Sequence, residues 1–141
     1  MINSFKNYLE LGKVRRKTPD PEEAKALLDK AQDRLEYIKD KEINAKTAKF
    51  VLEDSYEAVR EAAQALMSVK GFKPYSHEAT ISFIKEFYGK VFSEEDIHLF
   101  DHFRQLRNDS IYKAINIMEA DAKSSLVFAR QFIKKTKTIK K

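Results

Sequence analysis

One short segment of the chain carries residue types that bind phosphate. Arg104, Arg107, Asn108 and Tyr112 follow one another closely in the sequence. At about 100° per residue, Arg107 falls roughly 40° from Phe103, inside the apolar arc of a predicted helix, and the other three follow along one flank. Guanidinium groups bind phosphate through a fixed fork of donors, and amide and phenol groups add directed hydrogen bonds. These four residues are therefore a candidate site for a phosphate of RNA or of a nucleotide.

Arg107 also has a purely structural interpretation. A guanidinium among apolar neighbours needs a partner, because burying an unpaired charge is costly. The second of the predicted helices, a long one that comes earlier in the chain, offers Asp54, Glu57 and Glu61 as partners. Arg107 would then hold two helices together and bind nothing. The residues alone favour neither interpretation.

Other patterns that carry chemistry are scarce. The sequence has no cysteine, no Gly-rich phosphate loop, no His-Glu-x-x-His and no nucleophile elbow. His98 and His102 lie four residues apart and could share a metal ion, but pairs of this kind are usually surface residues, and no third ligand is apparent nearby. His77 falls in the first turn of another predicted helix. We therefore expect no metal site and no cofactor.

Five amphipathic helices are predicted to position these residues. Asp20 followed by Pro21 is typical of a helix start, Ser76 and Ser93 are predicted caps, and Gly71 is a predicted helix stop. Apolar residues recur at spacings of three and four, and no alternation is long enough to indicate a strand. Short connections favour an antiparallel up-and-down bundle. The sequence thus predicts an all-α fold of about five helices without a sheet.

The fourth helix is predicted to begin after Ser93 and to run beyond the candidate site. Its core side is predicted to consist of Leu99, Phe103, Leu106, Ser110, Ala114 and Ile117. The last helix is predicted to begin at about Glu119.

The positive charge is concentrated at the two ends of the chain. The net charge is +5, of which the last eight residues carry +5 and residues 1–17 carry +4, so residues 18–133 carry the remainder, −4. Basic ends can attract phosphate without reading sequence, although the simpler interpretation is that they are solvated and frayed. We divide the chain into a basic N-terminal segment at 1–17, a helical bundle at 18–135 and a basic tail at 136–141.

Hydropathy gives an expectation about location. No apolar run approaches the length of a membrane span, and the N-terminus lacks the apolar core of a signal peptide. We therefore expect a cytoplasmic protein without membrane contact.

Several short motifs occur in an order that is typical of one family. They are the alanine-rich run from Tyr56 to Leu66, the loop Gly71-Phe72-Lys73, the helix start Ser76-His77, the segment Arg104-x-x-Arg107-Asn108-x-x-x-Tyr112, and Ala122, Leu126, Ala129 and Phe132. Over roughly residues 20–135 the chain resembles the HEPN superfamily of small helical-bundle proteins. The resemblance implies a HEPN-like bundle.

The resemblance also implies a function and partners. Many members are metal-independent ribonucleases whose signature is an arginine followed, a few residues later, by a histidine. Arg107 and Asn108 fit its beginning, but Tyr112 stands where the histidine is expected, and tyrosine is a poor base at neutral pH. The family commonly forms homodimers and is often paired with a small nucleotidyltransferase in toxin–antitoxin modules, so the resemblance implies partners of both kinds.

Three functions stay open at this point. The chain could bind RNA, a nucleotide or a partner protein through Arg104, Arg107, Asn108 and Tyr112. It could be an active ribonuclease in which Tyr112 or His102 replaces the lost histidine. It could be an adaptor bundle with internal ion pairs.

Aromatic residues give a further indication of dimerisation. They exceed what one face of each helix readily hides, which is typical of an interface. The residues concerned are Phe83, Phe87, Tyr88, Phe92, Phe100 and Phe103.

Overall fold

The computed structural model describes residues 2–139 and is built from helices around one long central helix. The elements are α1 (Phe5–Glu10), β1 (Val14–Arg16), α2 (Pro21–Ile38), α3 (Ala48–Lys70), β2 (Phe72–Pro74), α4 (His77–Tyr88), α5 (Glu94–Lys113) and α6 (Glu119–Thr138). Helices α2 to α6 are the five predicted ones, so the all-α bundle is confirmed. Within residues 2–139, no helix combines the length and the apolar character needed to cross a membrane.

Local capping explains where the helices begin. The side chain of Asp20 accepts a hydrogen bond from the backbone N–H of Glu23 at 3.0 Å, with Pro21 in the first turn. Ser76 accepts in the same way from the N–H of Ala79 at 3.1 Å, at the start of α4. At the start of α5 the caps are reciprocal. The side chain of Ser93 accepts from the backbone N–H of Asp96, and the side chain of Asp96 accepts from the backbone N–H of Ser93. These predicted starts are confirmed.

Helix α3 lies at the centre of the bundle. It packs against α2, α4, α5 and α6. Its inward faces are lined by small alanines and by larger side chains such as Leu52, Leu66 and Met67, all of them fully buried. The alanines allow neighbouring helices to approach closely, so polar residues of α3 can meet polar residues of α4 and α5 directly.

The prediction of no sheet is wrong, because β1 and β2 pair as a short antiparallel ribbon. Val14 lies opposite Pro74, Arg15 opposite Lys73, and Arg16 opposite Phe72. Each strand has only three residues, which is too short for an alternating pattern to be recognised in the sequence.

A glycine makes the ribbon possible. Gly71 ends α3 in the left-handed conformation at φ 83°. A Cβ atom there would lie 2.6 Å from the carbonyl oxygen of Lys17, and the backbone N–H of Lys17 donates to the carbonyl oxygen of Gly71 at 2.9 Å. Only glycine combines this φ with so close an approach of the two segments.

The interpretation of the two ends as frayed is wrong for the residues described. Phe5 and Tyr8 of α1 are buried, and the ring of Phe5 packs edge-on against Phe72 at 5.2 Å between centroids. At the other end α6 continues to Thr138, Thr136 is fully buried, and Nζ of Lys135 lies 2.5 Å from a carboxylate oxygen of Asp96. Lys140 and Lys141 of the tail lie outside the described residues.

The end of α5 differs from the prediction. The helix stops at Lys113, because Ala114 adopts a left-handed conformation at φ 53° and its N–H caps the carbonyl of Asp109. Ala114 is therefore exposed rather than part of the core. Ile117 does reach the core at 7% exposure, but from the connection to α6 rather than from α5.

The predicted aromatic surplus is mostly absent. Phe83, Phe92, Phe100 and Phe103 are buried within the single chain, so the prediction is wrong for these four. Neighbouring helices supply the cover, as where the ring of Phe92 stacks on that of Phe132 at 4.4 Å between centroids. The dimer prediction thereby loses this support, although the dimer itself stays a prediction.

Candidate functional site

Arg107 stands where α5 faces α3. Its side chain is half-buried, and the guanidinium carbon lies 5.9 Å from the centre of the Tyr56 ring. Its Nη1 donates to Oδ1 of Asn108 at 3.1 Å. In the part of the chain that the structure describes, no carboxylate lies within ion-pairing distance of this guanidinium. Most of its donors therefore have no protein partner among those residues.

The three acidic residues proposed as partners of Arg107 are engaged elsewhere. Arg34 of α2 takes two of them: its Nε lies 3.0 Å from Oε1 of Glu61, and its Nη1 lies 3.0 Å from Oδ1 of Asp54. Glu57 pairs with Arg60 at 2.9 Å. The structural interpretation of Arg107 is therefore wrong, because Arg34 and Arg60, and not Arg107, pair with these acids.

Arg104 lies one turn before Arg107 and is held more tightly. Its Nε donates to Oδ1 of Asp101 at 2.7 Å, and its Nη1 lies 3.9 Å from Oε1 of Glu78 at the start of α4. Its side chain is only 13% exposed. The two carboxylates offset much of its charge, so Arg104 fixes α4 against α5 beside Arg107.

Tyr112 does not join the other predicted site residues. It is the penultimate residue of α5 and is 76% exposed, whereas Arg107 is half-buried. Five positions on a helix turn a side chain by about 140°, which accounts for the separation. The structure thus brings Arg104, Arg107 and Asn108 to one place and leaves Tyr112 apart.

A histidine that the sequence did not connect with Arg107 lies at the site. Nδ1 of His77 is 2.7 Å from the hydroxyl oxygen of Tyr56, and the two rings stack at 5.5 Å between centroids. His77 stands in the first turn of α4, directly before Glu78, which faces Arg104. Tyr56 thus contacts both His77 and Arg107. His102, by contrast, is exposed on α5.

The hydrogen bond of Tyr56 determines the protonation of His77. Tyr56 is 2% exposed, and Nδ1 of His77 is its hydroxyl's one hydrogen-bond partner among residues 2–139. Burial raises the pKa of Tyr56 well above its ordinary value, more than the charges of Arg107 and Arg104 lower it, so the hydroxyl keeps its proton. Because that proton needs an acceptor, we assign the proton of neutral His77 to Nε2.

The site disfavours a charged histidine. Burial lowers the pKa of His77 below its ordinary value, and the positive charges of Arg107 and Arg60 lower it further. The positive end of the α4 dipole acts in the same direction. His77 is therefore neutral at pH 7 and presents one N–H donor, at Nε2.

A cleft opens beside His77. It has a volume of about 280 Å³ and is lined by Arg60, Gln64, Pro74, Tyr75, Ser76, His77 and Thr80. Arg60 donates to Glu57 and, through Nη1, to Oε1 of Gln64 at 2.7 Å. Burial raises the pKa of Glu57, but the hydrogen bond from Arg60 and the nearby arginine charges outweigh it, so the pKa lies below its ordinary value. Glu57 is thus a carboxylate that holds Arg60.

The sequence contained one signal for this part of the site. Tyr56, Arg60 and Gln64 follow one another at intervals of four and share one face of α3. Nothing in the sequence linked that polar line of α3 to His77 or to Arg107, since His77 lies on α4 and Arg107 on α5. No group of three or more His, Cys, Asp or Glu residues is placed to hold a metal ion between residues 2 and 139.

Comparison with known families agrees with this architecture. The model of the HEPN domain matches residues 24–139, which is most of the chain. The chain therefore belongs to the HEPN domain family. None of the curated proteins compared with it matches significantly. The matched range includes α3, α4 and α5, which carry the site, and begins after α1 and β1.

Proposed function

We propose that this HEPN protein binds a phosphate group of RNA or of a nucleotide where α3, α4 and α5 meet. The observation that carries the proposal is the half-buried guanidinium of Arg107, which has no carboxylate of residues 2–139 within ion-pairing distance. A helix-mounted guanidinium with unoccupied donors is suited to the fork geometry of a phosphate. Such a group is costly to keep partly buried unless an anion from outside the chain offsets its charge.

The neighbours of Arg107 support the same proposal. His77 adds an N–H donor at Nε2, and the first turn of α4 adds partial positive charge, both of which favour an anion. Arg104 is paired with Asp101 and Glu78 and fixes α4 against α5 beside Arg107. Asn108 orients the guanidinium through its Oδ1. Tyr112 has no role in this proposal.

An active ribonuclease is the second candidate function. His77 favours it, because a histidine beside Arg107 could replace the one missing from the family signature. A general base needs an unprotonated ring nitrogen that faces the substrate. Tyr56 occupies Nδ1 and leaves the proton on Nε2, so His77 in this arrangement donates rather than accepts. Binding without cleavage is therefore the function we propose first.

A homodimer and a nucleotidyltransferase partner in a toxin–antitoxin module are also proposed, on the basis of family membership. Large apolar side chains are exposed where α5 leads into α6, and we propose that a second copy covers them. They are Ile111, Tyr112, Ile115 and Met118. Light scattering at high protein concentration tests the dimer, and a monomeric mass would contradict it. Co-expression with a small nucleotidyltransferase, followed by co-purification, tests the second partner.

Fluorescence anisotropy with labelled single-stranded RNA tests phosphate binding, with unlabelled nucleotides as competitors. Arg107→Gln should weaken binding about 10- to 150-fold, the range for losing a hydrogen bond to a charged group. Arg130→Gln removes an exposed arginine of α6 and is the matched control. Equal affinity of Arg107→Gln and the unsubstituted protein would contradict the proposal. Incubation of the same RNA, followed by a gel, tests cleavage, and cleavage that disappears in His77→Gln would establish the ribonuclease.

A further inference from the structure

The outward face of the β1–β2 ribbon combines like charges. Arg15 and Lys73 lie directly opposite each other in the antiparallel register, and both are exposed. Like charges at opposed positions destabilise a strand pair. Neither side chain has a carboxylate within ion-pairing distance in the stretch from Ile2 to Ile139. The ribbon therefore carries an unfavourable charge pair that an external anion would relieve.

An aromatic ring lies close to both of these charges. Tyr75 follows β2 directly and is 52% exposed. The guanidinium carbon of Arg15 lies 5.2 Å from the centre of its ring, and Nζ of Lys73 lies 5.6 Å from it. Exposed rings among cations are the arrangement that binds single-stranded nucleic acid, in which bases stack and phosphates contact the charges. A duplex offers no unstacked base to such a ring.

The ribbon is continuous with the cleft beside His77. Tyr75 lines the cleft together with His77 and Arg60, so one ring borders both surfaces. The ribbon is also firmly held, because the N–H of Tyr75 donates to the carbonyl oxygen of Lys13 at 2.7 Å and Val14 is buried. A rigid platform loses little conformational freedom when it binds.

We propose that the β1–β2 ribbon is a docking surface for single-stranded RNA that leads into the cleft beside His77, next to the Arg107 site. A base stacks on Tyr75, and the flanking phosphates contact Arg15 and Lys73. The inference rests on the proposed function, since it requires phosphate binding at Arg107. It goes further by assigning the ligand as single-stranded RNA and by giving the basic N-terminal segment a defined role. The family match begins at residue 24, so β1 lies outside it.

The test uses three labelled RNAs: a uridine dodecamer, the dinucleotide UpU and a hairpin duplex. Tyr75→Ala should weaken dodecamer binding about 5- to 150-fold, the range for stacking of one base. Arg15→Gln combined with Lys73→Gln should lower the salt slope of dodecamer binding by about 1.4, at about 0.7 per phosphate contact. UpU has a single phosphate, which the Arg107 site would take, so it should bind the Arg15→Gln, Lys73→Gln variant nearly as it binds the unsubstituted protein.

Matched controls lie at the N-terminal end of α3, whereas the ribbon lies at its C-terminal end. A helix of 23 residues separates the two ends by roughly 34 Å. Lys46 and Lys49 are exposed at the N-terminal end, and Nζ of Lys49 lies 5.4 Å from the ring of Phe50, itself 58% exposed. Lys46→Gln with Lys49→Gln, and separately Phe50→Ala, should leave dodecamer affinity and salt slope unchanged. Tyr75→Phe keeps the stacking ring and should bind like the unsubstituted protein, which separates lost stacking from a damaged fold.

The outcomes distinguish the two proposals. If Arg107→Gln abolishes binding of both single-stranded RNAs while the ribbon variants bind the dodecamer normally, the ribbon inference is overturned and the proposed function stands. If the control variants lose as much affinity as the ribbon variants, any surface cation contributes equally to RNA binding, and the inference is also overturned. Equal binding of the hairpin, with equal dependence on Tyr75, would overturn the assignment to single strands. If the unsubstituted protein binds none of the RNAs or nucleotides, both proposals fail.

Discussion

Replacing Tyr56 by phenylalanine tests how His77 is held. The ring of Tyr56 is 2% exposed and packs edge-on against Phe100 at 5.9 Å between centroids, and phenylalanine keeps that packing. The substitution therefore removes one atom of consequence, the hydroxyl oxygen that lies 2.7 Å from Nδ1 of His77.

The expected loss of stability follows from that single bond. A hydrogen bond between neutral groups contributes about 1 kcal/mol net, and a partner left without a bond costs about 1–3 kcal/mol if it is fully buried. His77 is only half-buried, so water can reach its ring in part. We expect the free energy of unfolding to fall by about 1–2 kcal/mol, which lowers Tm by about 3–8 °C for a domain of this size.

A double-mutant cycle isolates the interaction. Thermal unfolding is measured by circular dichroism for Tyr56→Phe, His77→Gln and the double variant, and the expected coupling energy is about 1 kcal/mol. Tyr37→Phe is the control, since Tyr37 is 67% exposed and its change should stay within about 0.5 kcal/mol. Long-range proton–nitrogen NMR spectra should show the His77 proton on Nε2. A coupling energy near zero, or a proton on Nδ1, would refute the assignment and with it the argument that His77 donates rather than accepts.

Three further expectations concern stability. Arg34→Ala should lower the free energy of unfolding by about 3 kcal/mol, because Glu61 is 1% exposed and would lose its principal partner. Urea titration measures this, and an unchanged urea midpoint would contradict it. The pKa of His77 is lowered in the fold, so the unfolded chain binds that proton more readily and stability should fall as the pH drops below about 6.5. With urea midpoints measured between about pH 5 and pH 7.5, His77→Gln should make the loss of stability at low pH smaller. An identical loss in His77→Gln would mean that other groups cause it. Gly71→Ala should lower Tm by at least several degrees, because a Cβ would meet the carbonyl oxygen of Lys17 at 2.6 Å; an unchanged Tm would show that the turn relaxes without cost.

The helices could be predicted from the sequence because their signals are local. Asp20, Ser76 and Ser93 each cap a backbone N–H three residues ahead, and such a pattern is visible in a single short window. The ribbon could not be predicted in this way. Its two strands are far apart in the chain, and their pairing depends on Gly71 bringing β2 against the segment that contains Lys17.

The candidate site was predictable on one helix only. Counting angles from Phe103 placed Arg107 inside the apolar arc of the helix, and the structure has its side chain half-buried. The same count put Tyr112 well round the helix from Arg107, and its exposure follows from that angle. The partnership of Tyr56 and His77 joins residues 21 positions apart on two helices, and the sequence carries no direct sign of such a contact.

A long-range hydrogen bond that fixes the N-terminal segment to α4 has a consequence for the order of folding. Oγ of Ser82 donates to the carbonyl oxygen of Asn3 at 3.0 Å, a contact that spans 79 positions of the chain. The segment that contains α1 and β1 is synthesised before β2 and α4, which carry its partners, and contacts that close long loops form late. We expect the helical body to assemble first and α1 and β1 to dock onto it afterwards. In hydrogen exchange, the amide groups of central α3 should be among the last to open.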